Sequence, residues 1–221
     1  MKMKKSRLIF MLISLFCLLG FNTYLEKNGW DTSNESIDKQ KLFVVFADGD
    51  SVIANNDLPV GDALYGVQNV TINQLMQSIF DDYNNVQGSY LLLVGVDDPD
   101  YNETNALFRT ITISFDGADG TNGGQARFNY KDNKFRGCSI ELEAKLKNSA
   151  WEFTGVITHE IGHCTGLDHP QDTVNSLMSY FYNGKYLRLM ADDKMGLIYL
   201  YPENKSDSKE TPTYGLSCQK R

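Results

Sequence analysis

The most informative part of this chain is HEIGHCTGLDH, residues 159–169. His159 and His163 are four positions apart, so on a helix they project from one face, one turn apart. Two imidazoles at that spacing can bind one zinc ion. Gly166 can take a positive φ, which ends a helix and turns the chain so that His169 supplies a third ligand. The sequence therefore predicts a zinc site of His159, His163 and His169.

Glu160 is the candidate catalytic residue of this predicted site. It follows the first ligand and can reach a metal-bound water rather than the metal. Three protein ligands leave a fourth position open, which is typical of catalytic zinc sites. A purely structural site needs no base, so we expect Glu160 to be a general base. The chain has three histidines, and all of them lie in this motif.

Local signals predict that the motif lies on a helix. Ser149 and Glu152 form a candidate capping box, and Gly166 is a stop signal, so we predict a helix over 150–165. Further helices are predicted after Thr71 and over 191–201. Strands are predicted at 42–47, 90–96, 107–115, 125–130 and 140–143. This order of elements predicts an α+β domain with a mixed sheet.

The N-terminal segment differs from the rest of the chain. A basic start is followed by an apolar run of 14 residues at 8–21. That run is short for a membrane span, so it predicts a secretory signal peptide over 1–21. We expect a secreted protein, extracellular or periplasmic. A membrane anchor through this segment, or a lipid on Cys17, is the alternative.

The remaining chain is acidic, and we predict three segments in it. Its net charge is −7, and removal of 1–21 leaves 17 basic and 28 acidic residues, a net charge of −11. Such a surface repels phosphate backbones, so we expect no nucleic-acid partner, and no stable membrane association once the signal is removed. We predict a leader or linker at 22–40, a catalytic domain at 41–203 and a polar tail at 204–221.

Cysteine usage allows at most one disulfide in the exported chain. Cys17 lies in the predicted signal, and three cysteines remain. Cys138 opens the strand that leads into the motif helix, and Cys164 lies near the end of that helix. Since export permits disulfides, we favour a Cys138–Cys164 bridge. Pairing of Cys218 with either residue, or its thiolate on the zinc, stays open.

The motif resembles that of the metzincin clan, in which HExxHxxGxxH is followed by a methionine turn. Pro170 and the run MSY at 178–180 are similar to the serralysins. The nine-residue spacing from His169 to Met178, and DDKMGLIYLY at 192–201, are similar to the matrixins. The resemblance implies a metzincin-like zincin fold: a mixed twisted sheet with two main helices, active-site helix, Met-turn and C-terminal helix. It implies a monomeric zinc metalloendopeptidase that acts on proteins or peptides.

The resemblance also assigns roles to further residues. Met178 is expected under the histidines without contacting the metal. Tyr180 is expected to donate a hydrogen bond to the oxyanion that develops on the scissile carbonyl, the alternative being a ring in the pocket wall. Substrate is expected beside an edge strand at 123–128, with its side-chain pocket lined from 174–187.

The chain departs from these families in ways that bear on other metals. It lacks the glycine-rich calcium repeats of serralysins, and no histidine is left for a second zinc. Loop aspartates offer oxygen ligands for a structural calcium, or form a solvated acidic loop; they are Asp97, Asp98, Asp100, Asp116 and Asp119. Two other functions stay open: a secreted zinc-stabilised binding module without turnover, and a zinc amidase acting on a non-protein amide.

Overall fold

The computed structural model describes residue 30 and residues 40–102, 109–117, 123–131, 134–170, 175–179 and 186–203. Its elements follow the predicted order of strands, helix, strands and two helices. In chain order they are β1 (Gln40–Phe46), α1 (Ile72–Asn84), β2 (Leu91–Val94), β3 (Thr110–Ser114), β4 (Gly124–Lys131), β5 (Lys134–Leu142), a 3-10 helix (Ala144–Asn148), α2 (Ala150–Cys164) and α3 (Ala191–Leu200).

The five strands form one sheet in the order β2-β1-β3-β5-β4. β1 pairs in parallel with β2 and β3, and β3 pairs in parallel with β5. β4 runs antiparallel to β5 and lies at the edge of the sheet. The predicted α+β domain with a mixed sheet is confirmed. An edge strand presents backbone N–H and C=O groups to whatever lies beside it, and this edge flanks α2.

Helix α1 packs an apolar face against the sheet and α2. Thr71 caps it, because its hydroxyl accepts from the Gln74 N–H while the Gln74 side chain accepts from the Thr71 N–H. The Tyr83 hydroxyl donates to Thr158 O of α2 at 2.7 Å. The buried residues recur at helical spacing, as predicted; they are Ile72, Leu75, Met76, Ile79, Phe80 and Tyr83.

Helix α2 begins at a cap built from two parts of the chain. Ser149 Oγ accepts from the Glu152 N–H at 3.0 Å, while the Ser149 N–H is donated to Leu146 O rather than to the Glu152 side chain. The predicted capping box is therefore half formed. Asp57 completes the cap: its carboxylate accepts from the Ser149 hydroxyl at 2.7 Å and from the Trp151 N–H at 2.8 Å.

Two contacts attach the end of α2 to distant parts of the chain. Cys138 of β5 and Cys164 form a disulfide with their Cα atoms 5.6 Å apart, which confirms the favoured pairing. Cys17 and Cys218 lie outside the described residues. Trp30 is buried in the core, and its indole N–H donates to Cys164 O at 3.1 Å. It falls within the predicted leader at 22–40, so this residue of the leader is part of the folded domain.

Strand β5 is the element that differs most from its prediction. It begins at Lys134, six residues before the predicted start at 140. Its first half pairs with β4 in a hairpin, with Lys131 opposite Lys134, and has no apolar alternation to indicate a strand.

Within the described ranges no helix is long and apolar enough to cross a membrane. The predicted signal at 1–21 lies outside those ranges.

Candidate metal centre

The three predicted ligands converge on one point. His159 and His163 lie one turn apart on α2, and their ring centroids are 4.8 Å apart. The His169 ring centroid lies 5.2 Å from that of His159 and 4.5 Å from that of His163. One nitrogen from each ring lies within 4.8 Å of the others. In the described part of the chain this is the one group of three or more His, Cys, Asp or Glu side chains placed to hold a metal ion.

Backbone carbonyls orient two of the imidazoles. His159 Nδ1 lies 2.9 Å from Leu177 O, and His163 Nδ1 lies 3.0 Å from Leu167 O. A ring nitrogen that faces a carbonyl carries the proton, which leaves Nε2 as the unprotonated nitrogen, the form that binds a metal ion. His159 Nε2 indeed faces His169 Nε2 at 3.2 Å. Partners of this kind are typical of the groups that fix metal-binding histidines.

The turn at Gly166 brings His169 back to the helix. Gly166 has a φ of +100°, a conformation that favours glycine. The Gly166 N–H donates to His163 O at 2.8 Å, and the Leu167 N–H donates to Gly162 O at 2.9 Å. This pair of bonds is the Schellman arrangement that closes a helix C-terminus. The stop signal predicted from the sequence therefore positions the third histidine.

A buried carboxylate holds the turn that contains Met178. Asp193 of α3 accepts from the Leu177 N–H at 2.8 Å, from the Met178 N–H at 3.2 Å and from the Met190 N–H at 2.8 Å. It also accepts from the Ser176 hydroxyl. Sequence reasoning gave Asp193 no role, although it lies in the stretch DDKMGLIYLY that carries the resemblance.

Met178 packs directly against the helix between the two histidines. It is buried, and its thioether fills the space that a side chain at Gly162 would need. Gly162 lies three residues after His159 and one before His163, so Met178 lies beneath the predicted site. A flexible thioether suits such an irregular gap, as the resemblance implied.

Glu160 lies between α2 and the edge strand. Its side chain is buried, and burial raises the pKa of the carboxyl to about 7, although a hydrogen bond from the Ala126 backbone partly offsets the rise. Gly124 of β4 approaches it so closely that an added Cβ would lie 3.0 Å from Glu160 Cγ. A carboxyl with a pKa near neutrality can both take and return a proton. It also faces the strand expected to bind substrate.

Burial keeps the histidines neutral. It lowers the pKa of His163 to about 3, with His159 nearby adding to the effect. It also lowers the pKa values of His159 and His169. Neutral imidazoles can bind a metal ion without first losing a proton.

Other predicted residues are placed differently. Tyr180 lies outside the described residues, as does half of the predicted pocket at 174–187. In the described half, the Tyr186 hydroxyl donates to Asn175 Oδ1 at 3.3 Å. Of the loop aspartates, Asp119 also lies outside. The Lys41 ammonium lies 3.0 Å from Asp98 and 2.5 Å from Asp100, so an internal cation already binds those two carboxylates.

A protein family model described as Matrixin matches residues 69–202, which is most of the described domain. The matched range includes the three histidines, Glu160, the turn at Met178 and helix α3. A search of curated proteins found no match.

Proposed function

Since this chain belongs to the matrixin family of zinc metallopeptidases, we propose that it is a secreted zinc-dependent endopeptidase. It would hydrolyse internal peptide bonds with Glu160 as general base. One observation carries the proposal: three neutral imidazoles converge on one point, and a buried carboxyl with a pKa near 7 lies beside them at a sheet edge. The ligands would be His159, His163 and His169.

The donor set fits zinc. Zinc favours imidazole nitrogen in tetrahedral geometry, and three protein ligands leave room for a fourth. Each ring here is neutral, and His159 and His163 are fixed by carbonyl partners. When bound, the ion lowers the pKa of a water molecule and polarises the scissile carbonyl.

In the proposed reaction Glu160 first accepts a proton and then donates it. Its carboxylate takes a proton from the attacking water and later donates it to the leaving amine, so the carboxyl ends in its starting state. Its position between α2 and β4 supports this role, because a peptide paired with β4 would pass within reach of it. Strand pairing of this kind provides main-chain hydrogen bonds along the substrate.

Secretion is part of the proposal and has separate support. The predicted signal at 1–21 would direct export, and the Cys138–Cys164 disulfide is typical of proteins that leave the reducing cytosol. Intact-mass measurement of the exported protein tests this. The expected mass lacks residues 1 to about 21; a mass that includes Met1, or a lipid adduct on Cys17, would instead indicate an anchored protein.

The first prediction tests the base. We expect Glu160→Ala to bind one Zn²⁺ per chain, because the base is not a ligand. Without the base, we expect it to cleave a proteome-derived peptide library at least about 100-fold more slowly than the wild type. Glu152→Ala is the matched control, since it removes an exposed carboxylate from the same helix. Full cleavage by the Glu160 variant would refute the mechanism.

The same library separates the alternative functions. Zinc binding by the wild type without cleavage of any peptide would favour a zinc-stabilised binding module. Cleavage of a non-protein amide, such as a cell-wall cross-link, in place of peptides would favour an amidase. Cleavage at internal peptide bonds supports the proposed endopeptidase.

A further inference from the structure

The last carbonyls of helix α2 bond to side chains from the two ends of the described chain. Such carbonyls have no N–H partner within their own helix. The Trp30 indole N–H donates to Cys164 O at 3.1 Å, and the Tyr201 hydroxyl donates to Thr165 O at 2.6 Å. The two donors are 134 and 36 residues away from their acceptors in sequence.

These carbonyls adjoin the metal-binding residues on both sides. Cys164 follows His163 directly, and Thr165 begins the turn that leads to His169. The His163 ring is oriented by Leu167 O within the same turn, at 3.0 Å. A rotation of the peptide groups at 164 and 165 would therefore shift His169 and reorient the ring of His163.

Water cannot replace either donor. Trp30, Tyr201, Cys164 and Thr165 are each no more than 3% exposed. Burial also raises the pKa of the Tyr201 phenol well above its ordinary value, so the hydroxyl keeps its proton. A buried carbonyl left without a donor is unfavourable, and the turn can relieve that cost by rotating its peptide groups.

The disulfide does not duplicate this function. The Cys138–Cys164 bridge restrains the side chain of Cys164, and so the position of its Cα atom. It leaves the direction of the Cys164 and Thr165 carbonyls undetermined. The backbone bonds of Gly166 and Leu167 set the path of the turn, and the two side-chain donors hold the Cys164 and Thr165 carbonyls in the orientation that this path requires.

We propose that Trp30 and Tyr201 are positioning residues for the metal site, which hold the turn between His163 and His169 in its metal-binding conformation. Zinc affinity then depends on the docking of both ends of the domain onto α2. The inference rests on the proposed function, because it takes the three histidines as the zinc ligands.

Conservative variants provide the test. Trp30→Phe keeps an aromatic ring and removes the N–H donor, and Tyr201→Phe removes the hydroxyl alone. We expect each to raise the Kd for Zn²⁺ roughly 5- to 20-fold in chelator competition, somewhat less than for groups that bond directly to ligands. The matched controls are Trp151→Phe, at the opposite end of α2, and Tyr199→Phe, on α3. We expect both controls to bind Zn²⁺ like the wild type.

A second readout works even where Trp30→Phe fails to fold. The chain has two tryptophans, so in Trp151→Phe protein the emission comes from Trp30 alone. We expect that emission to change on Zn²⁺ addition, with the same midpoint as metal binding. Zinc affinities of the Trp30 and Tyr201 variants equal to those of the controls, or an unchanged Trp30 emission, would overturn the inference. A wild-type protein that binds no Zn²⁺ would overturn the proposed function itself.

Discussion

The carboxylate of Asp193 acts on the metal site through one intermediate, the turn at 176–178. It accepts the N–H groups of Leu177 and Met178, and Leu177 O in turn faces the His159 ring. The side chain is 2% exposed, so these bonds take the place of hydration. A residue on α3 therefore determines the orientation of a predicted ligand on α2.

Asp193→Asn tests this connection. The amide places an NH₂ donor against backbone N–H donors, so we expect the turn to shift. Zinc affinity should fall roughly 5- to 20-fold, less than when a direct partner of a metal-binding histidine is lost, because Asp193 acts through the turn. Chelator competition measures it, with the exposed Asp97→Asn as control. An unchanged zinc affinity would mean that Asp193 contributes to stability only.

Tyr180 is the residue whose role remains a prediction from the resemblance. If its hydroxyl donates to the oxyanion, Tyr180→Phe should lower kcat roughly 10- to 100-fold with KM little changed, because the bond forms only in the transition state. Steady-state kinetics on one peptide measure kcat and KM, and Tyr199→Phe, which changes an exposed tyrosine of α3, is the matched control. Wild-type kinetics in the Tyr180 variant would identify it as part of the pocket wall.

Helix α2 is held at both of its ends by other parts of the chain. Its bounds were predictable, because Ser149 and Gly166 are local signals that act within one turn. Its partners were not. Asp57 lies 94 residues from the backbone that it caps, in a polar stretch where an exposed aspartate has no distinguishing feature. Trp30 was likewise assigned to a leader, since one aromatic residue in a polar segment creates no periodicity.

Asp57→Ala tests the cap at the N-terminus of α2. Loss of a cap costs about 0.5–2 kcal/mol, which for a domain of this size lowers Tm by a few degrees. Zinc affinity should change little, because the ligands lie at the other end of the helix. Thermal unfolding and chelator competition on the same preparations measure both quantities, with Asp97→Ala as control. A large loss of zinc affinity would contradict the independence of the two helix ends.

The strand order of the sheet places the edge strand β4 next to Glu160. The sequence indicated five strands and a mixed sheet, and the resemblance named 123–128 as the strand beside the substrate. The order β2-β1-β3-β5-β4 could not be read from strand patterns, because alternation describes which face of a strand is buried and not its neighbour. The triad of histidines was predictable for the opposite reason: its spacing lies within one helix and one turn.

The burial that keeps the histidines neutral should also make the metal-free protein sensitive to acid. The folded-state pKa of His163 is about 3, against an ordinary value of 6.5. Between these values the unfolded chain binds more protons, so stability falls as pH falls, by about 1.4 kcal/mol per pH unit for one such group. The lowered pKa values of His159 and His169 act in the same direction.

Glu160 opposes this loss of stability over part of the pH range. Its folded-state pKa of about 7 exceeds the ordinary 4.5, so its contribution to stability is complete below pH 4.5 and is lost as pH rises through 7. Between pH 6.5 and 4.5, the stability that Glu160 adds as pH falls offsets the stability that about one histidine removes. Below pH 4.5 Glu160 no longer offsets the effect of His163, so we expect the steepest fall in Tm there. Thermal unfolding in excess chelator from pH 7.5 to 4 measures this. His163→Gln, which cannot be protonated, should flatten the profile, and an equally steep fall in that variant would show that other groups cause the acid sensitivity.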